Sequence, residues 1–361
     1  MALLALAASC ALSTLTAVEH THSSAAAGTI FAVYQNCDQP GPTPGCKYHP
    51  YANTVPLANT TMDMSRQLQL SSGAADGDKS ADAFDASSGV LYFFQGREAT
   101  MYRVDVGAHK VLPPVKLKTP HTSEAWLGLD VAYWDDTTGA VVAVAKGNDK
   151  YIGGLVSIDP SSGVVSPLDN GADPIRQASG QLAKGGGLSA FGAGLLVLPL
   201  VPTWNYVHSF QVVNSSTCPG SLCVATHVHT TLDIVGLEFS DGEFWALGVD
   251  LPPSLPPGQP GQPLIAKLDP STGAFAMVAN LTGVVDTGAL RMAWDEMTDD
   301  GGGFRAVTTF DHANGIMYFA CDPNIVGVSV HTGEVAMSSP LVHWADGTQD
   351  AMFVNAMQFL H

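Results

Sequence analysis

The segment from Phe84 to Leu112, FDASSGVLYFFQGREATMYRVDVGAHKVL, is a pattern the chain repeats. In order it holds an apolar end, a turn closing on glycine, an apolar run, a polar loop, an alternating run and a second turn. The same order returns as YWDDTTGAVVAVA and LVSIDPSSGVVSPL between Tyr133 and Leu168. It returns as FSDGEFWALGV and LIAKLDPSTGAFAMV between Phe239 and Val278, and as FDHANGIMYFACDPNIVGVSVHTGEVAM between Phe310 and Met337. A degenerate copy starts with LSAFGAGLLVLPL at Leu188 and runs through Phe210 to CVATHVHTT. Two hairpins per copy make each one a four-stranded antiparallel sheet, and the chain a row of such sheets.

Turn chemistry supports this reading. An aspartate accepts hydrogen bonds from the N–H groups of its turn, and the glycine that follows supplies a positive φ. Asp85, Asp135, Asp159, Asp269 and Asp311 are therefore read as turn residues, with no catalytic role. The second strand of each copy is a continuous apolar run (VLYFF, AVVAVA, IMYFA), the mark of a strand covered on both faces. Phe353–Leu360 (FVNAMQFL) reads as a first strand with nothing after it, and Thr29–Gln35 (TIFAVYQ) as a second strand with none before it. Pairing them completes a sixth sheet and removes the exposed edges of an open row. The 37 glycines and 23 prolines are spread along the chain as punctuation, which excludes a helical protein.

In its turn and strand grammar the sequence resembles the β-propeller superfamily, in particular secreted propellers with YVTN/quinoprotein-like or NHL-like repeats. That resemblance implies an all-β fold, a six-bladed propeller with seven blades as the alternative, whose closing blade is shared by the N- and C-terminal strands. The Trp-Asp and Gly-His pairs of WD40 repeats and the glycine pattern of kelch repeats are missing, so no specific family is assigned. Residues 28–361 are expected to form one propeller domain.

Ahead of it, Met1 to Val18 (MALLALAASCALSTLTAV) is apolar and rich in small residues. It reads as a secretory signal within residues 1–27, with cleavage between 13 and 27, although no lysine or arginine precedes the apolar part. No later apolar run is long enough to span a bilayer. Cys37/Cys46 and Cys218/Cys223 are sequence-near pairs that flank loops and are expected to form disulfides. Sequons at Asn59, Asn214 and Asn280 agree with a secreted, glycosylated protein. Against 33 Asp and Glu stand 15 Lys and Arg, a net charge of −18, which excludes nucleic acid and anionic membranes as partners.

In such a ring the hairpin turns fall on one end, while the longer loops and inter-repeat joints fall on the other. Loops of that variable kind carry function in many folds. From the joints come His121, Glu124, Arg176, Arg305, Asp346 and Asp350. From the longer loops come Arg97, Glu98, Asn148, Asp149, Trp204, Asn205 and Tyr206. Of these His121, Glu124, Trp204, Asn205, Tyr206, Arg305, Asp346 and Asp350 are the candidate ligand-binding residues, and Trp204 with Tyr206 suits stacking on a sugar or bracketing a peptide. His227 and His229 alternate on a strand and face one way, a pairing also found in metal sites, but no third ligand is near. Asp76, Asp78, Ser80 and Asp82 are spaced like a calcium loop without the glycine and closing glutamate of an EF-hand.

No G-x-S-x-G, H-E-x-x-H, Walker A or Cys-x-x-Cys motif is present. The leading expectation is therefore a secreted, monomeric binding module for an extracellular protein or carbohydrate, with no catalytic residues assigned. The alternative resembles the gluconolactonase/regucalcin propellers, which implies a Ca²⁺ held by an inward triad, here Glu124, Asn205 and Asp350, activating water against a lactone or ester.

Overall fold

The computed structural model describes residues 28–37, 48–58, 62, 64–71, 80–95, 99–118, 126–147, 153–168, 189–200, 209–214, 225–252, 254–255, 261–285, 307–321, 324–340 and 353–360. The described chain opens with β1 (Thr29–Cys37) and β2 (Tyr48–Pro56); one turn of 3₁₀ helix (Met64–Arg66) then leads to the short β3 (Leu68–Gln69). Five four-stranded sheets follow. The first is β4 (Ser80–Asp85), β5 (Val90–Gln95), β6 (Thr100–Asp105) and β7 (Lys110–Lys116). The second is β8 (Trp126–Asp135), β9 (Ala140–Gly147), β10 (Gly153–Ile158) and β11 (Val165–Pro167). The third is β12 (Ala190–Gly192), β13 (Leu195–Leu200), β14 (Ser209–Asn214) and β15 (Ala225–His229). The fourth is β16 (Leu232–Ser240), β17 (Glu243–Asp250), β18 (Gln262–Leu268) and β19 (Phe275–Asn280). The fifth is β20 (Val307–Asp311), β21 (Ile316–Cys321), β22 (Asn324–Ser329) and β23 (Val335–Pro340).

The last strand, β24 (Phe353–Leu360), pairs antiparallel with β1 from Thr29↔Leu360 to Gln35↔Phe353, giving a sixth sheet in the order β24-β1-β2-β3. Six blades, one built from both ends of the chain, make a six-bladed β-propeller, as the turn grammar implies. One strand carries no mark of the repeat pattern: Tyr48–Pro56 lies in full register with β1, from Thr29↔Pro56 to Cys37↔Tyr48. Its prolines and polar residues hide it in the sequence; only the pairing partner shows it. Pro50 still serves the sheet, because its carbonyl accepts the Leu70 N–H at 2.9 Å.

Among the described residues the buried apolar side chains fall into six clusters, and each lies between two successive blades. Phe31, Val33, Leu91 and Phe93 join the sixth blade to the first, while Tyr92, Phe94, Val141 and Ala143 join the first to the second. Val142, Val144, Leu196 and Leu198 join the second to the third, and Val197, Phe210, Ala246 and Leu264 the third to the fourth. Leu247, Val249, Met317 and Phe319 join the fourth to the fifth; Ile30, Ala32, Tyr318 and Phe359 join the fifth to the sixth. Consecutive residues of β5 thus serve different clusters, Leu91 and Phe93 on one face and Tyr92 and Phe94 on the other. That is the physical reason its run is apolar without a break. Burying a side chain such as Phe93 contributes roughly 1.5–3 kcal/mol, so each seam is a small core of its own.

Candidate functional site

The first strand of every blade, β4, β8, β12, β16, β20 and β24, stands innermost, and together the six surround a channel of about 300 Å³. Ala86, Asp136 and His312, each the first residue of a hairpin turn, also line it, so this channel opens at the end of the molecule that carries the short turns. Bulges in β8 and β16 interrupt their pairing with β9 and β17, and a bulge of this kind re-aims the side chains of the strand that carries it.

Rings and hydrogen bonds brace the wall. Tyr133 stacks on Phe191 with centroids 4.0 Å apart across the second and third blades, and Tyr92 stacks on Trp134 at 5.4 Å across the first and second. Between the third and fourth blades Gly192 leaves room for the Phe239 ring, which would lie 2.0 Å from any Cβ at that position. Ser240 Oγ and His312 Nδ1, 2.8 Å apart, tie the fourth blade to the fifth at the mouth. The Phe359 N–H donates to Thr309 Oγ1 at 2.9 Å, tying the sixth to the fifth.

Two carboxyl groups face each other in this wall. Asp82 stands on β4 and Glu238 on β16, in blades directly opposite in the ring of six. Both are half-buried, and both line the channel. Burial, and then the charge of Glu238 across the channel, pushes the Asp82 carboxyl up to about 7. Burial likewise pushes Glu238 up to about 7, the Thr308 hydroxyl pulling weakly the other way. No lysine or arginine is among the described lining residues, so neither carboxyl has a fixed counter-charge there.

Thr308 itself is 4% exposed and also lines the channel. Its hydroxyl is close enough to influence Glu238, yet it is not in hydrogen-bonding geometry with any group.

All eight candidate ligand-binding residues (His121, Glu124, Trp204, Asn205, Tyr206, Arg305, Asp346 and Asp350) lie outside the described residues, and with them the Glu124, Asn205 and Asp350 triad. Cys37 ends β1, while Cys46, Cys218 and Cys223 lie outside. Asn59 is outside; Asn214 ends β14; Asn280 ends β19, exposed, its side-chain oxygen accepting the Thr282 N–H at 2.9 Å. His227 and His229 sit on β15, the outermost strand of the third blade, exposed and with ring centroids 4.9 Å apart. Burial and then the neighbouring His229 lower the His227 pKa. Among the described residues no three His, Cys, Asp or Glu side chains come together as a metal would need.

Asp82, read from sequence as part of a calcium-like loop, is a strand residue paired with Phe93. Glu238 belongs to no motif. The signal that marks both is a charge set among the apolar residues of the strand that opens a repeat (ADAFD, GLEFS), because in a ring of blades that strand faces the axis.

Compared by sequence, the chain matches no family model and no curated protein. Compared by structure, it is similar to one chain of the nidogen/laminin complex, with a TM-score of 0.50 and 12% identity over 92% of this chain and 98% of that one. It is also similar to a putative TolB from Agrobacterium tumefaciens, with a TM-score of 0.44 and 9% identity over 93% and 99% of the two chains. The calcium-binding protein regucalcin from the same organism gives a TM-score of 0.41 and 13% identity over 73% and 74%. At such identities the likeness concerns the fold alone. Among the described residues no helix is long and apolar enough to cross a membrane.

Proposed function

We propose that the protein is an extracellular, non-enzymatic binding module that receives its ligand in the central channel, at the end ringed by the short turns. The observation that carries this is the channel wall: two facing carboxyl groups and a buried hydroxyl beside one of them, inside a ring of aromatic and aliphatic side chains. A cavity of about 300 Å³ is at the small end of those that hold organic ligands. Polar groups that converge on one point fix a ligand's orientation in such sites, and here polar atoms contribute more of the wall's surface than apolar ones. The ligand is not an anion, because the described lining offers negative charge and no basic side chain. Export is supported by the apolar N-terminal segment, the paired cysteines and the three sequons. The partner that presents the ligand is then an extracellular protein or carbohydrate, or a free small molecule.

Ligand-observed NMR with a panel of small neutral and cationic polar compounds tests the reading. Binders are expected, and Ala86→Trp at the mouth should weaken them while Lys267→Ala, on the outer rim, should not. Binders indifferent to the mouth substitution, or no binders at all, would overturn it.

A second reading, a hydrolase, is favoured by one observation. Two carboxyl groups poised near neutrality are what general acid–base chemistry uses. In its metal-dependent form Ca²⁺ would be held at Glu124, Asn205 and Asp350. Calcium should then raise the melting temperature, EDTA or Glu124→Gln should abolish the rise, and lactones or esters should be turned over. The absence of any calcium shift disposes of the metal-dependent form.

A further inference from the structure

We infer that the channel recognises a primary ammonium group, held between Asp82 and Glu238 with Thr308 accepting one of its hydrogens. This rests on the channel being the binding site and names the chemistry it selects. An ammonium carries one positive charge and three donors on a compact head. The wall offers it two carboxylates on opposite strands, in blades one and four of the ring, and a third oxygen on β20 beside Glu238. The Thr308 hydroxyl is buried beside Glu238 without reaching hydrogen-bonding geometry, and a buried polar group so poorly paired is costly unless a ligand supplies a better partner.

Charge gives the same answer. Two facing carboxylates with no lysine or arginine in the described wall repel one another and any anion. A neutral guest would leave both uncompensated, whereas a cation satisfies the two together. Metal and organic cations differ in what they require. Ca²⁺ takes six to eight oxygen ligands at about 2.3–2.6 Å, and two carboxylates with one hydroxyl fall short of that set. An alkylammonium instead needs apolar wall for its chain, and Phe84, Tyr133, Phe191 and Phe239 line this channel. Such a head group occurs on free amines and on the lysine side chains of a partner protein, and the described residues suit both.

Calorimetric titration of the full chain with n-butylammonium chloride, N-acetyl-lysine methylamide, n-butanol and calcium chloride decides the matter. Binding of either ammonium probe, and none of n-butanol, is expected, and which ammonium binds more tightly tells a free amine from a lysine side chain. Asp82→Asn and Glu238→Gln should each weaken that binding about tenfold or more, the usual consequence of losing a charge-assisted hydrogen bond. Both variants remove a buried charge and keep its shape, so they should fold at least as well as the parent. Among the described residues the titratable groups facing the channel are Asp82, Tyr133, Asp136, Glu238 and His312. Because burial raises Asp82 and Glu238 to about 7, ammonium binding should be tighter at about pH 8 than at about pH 6. Equal binding of n-butanol, calcium binding without ammonium binding, or ammonium binding unchanged in both variants would each overturn the inference. If n-butanol or another neutral probe binds and Ala86→Trp weakens it, the channel remains the binding site and only its selectivity for ammonium falls. If nothing binds there, both fall.

Discussion

Asp85 shows how much of this protein is held by single turn residues. It is 5% exposed, and its carboxylate accepts the Ser87 and Ser88 amides at 2.9 and 3.2 Å and their hydroxyls at 2.7 and 2.6 Å. Burial pushes this carboxyl up, and the Ser88 and Ser87 donors together outweigh it, leaving the pKa below the usual carboxylate range. Asp85→Ala should therefore cost about 2 kcal/mol, read as a lower urea midpoint with an unchanged slope. The exposed Asp159 and Asp269 are brought to about 2, chiefly by the hydroxyls and amides of Ser161 and of Ser271 with Thr272. Their contribution is present above the unfolded value near 4 and lost as pH falls toward 2. Glu238 has the opposite sign. Its folded pKa of about 7 lies above the ordinary 4.5, so folding favours the protonated form. Stability linked to it is fully present below about pH 4.5 and falls as pH rises through 7. Thermal melts of Glu238→Gln should match the parent at about pH 4 and exceed it at about pH 8; equal melting temperatures at both would remove Glu238 from a desolvated wall.

At the scale of elements, the two hairpins of a blade do different jobs. Turns between the first and second strands at Gly89, Gly139 and Gly242 point into open space: a Cβ added at Gly89 meets nothing within 4 Å, and only the φ of +68° asks for glycine, whereas one added at Gly315 would meet the His331 ring. Turns between the third and fourth strands press on the blade before them. At Gly273, with φ +75°, an added Cβ would lie 1.9 Å from the His229 carbonyl oxygen at the end of β15. Gly163 stands in the same way against the Lys116 carbonyl, and Gly333 against that of Val278. Near Gly163 the backbone itself is sewn across the seam. The Lys118 N–H donates to Gly163 O at 2.7 Å, and the Val165 N–H to Lys118 O at 3.1 Å. Gly89→Ala should accordingly cost about 1 kcal/mol, and Gly273→Ala about 3 kcal/mol or more. Equal losses for the two in chemical denaturation would show that the second turn does not bear on its neighbour.

The whole molecule stands or falls with closure. β24 and β1 pair over their length, and Met357 and Phe359 enter the same cluster as Val307 and Tyr318 of the fifth blade. Ala356 enters the cluster shared with the first blade. Removing residues 353–361 would therefore open two seams at once and uncover the inner edge of β1. The truncated chain should lose cooperative unfolding and near-ultraviolet dichroism while retaining strand signal in the far ultraviolet. A truncated chain that melts like the parent would mean that the ring does not depend on its shared blade.

What the sequence determined by itself is whatever local chemistry repeats. Asp-to-Gly turns, apolar second strands and the unmatched strands at the two ends are enough to derive four-stranded blades and their closure, with six blades expected and seven left as the alternative. Residues with no repeating partner are less legible. β2, with its prolines, becomes a strand only because β1 lies beside it. The facing of Asp82 and Glu238 is beyond sequence reading altogether, since more than 150 positions separate them in the chain. Their meeting follows from the number of blades and the angle between them, which set opposite strands across one axis. Periodicity records which face of a strand is buried; which carboxylate then looks at which is decided by the geometry of the closed ring.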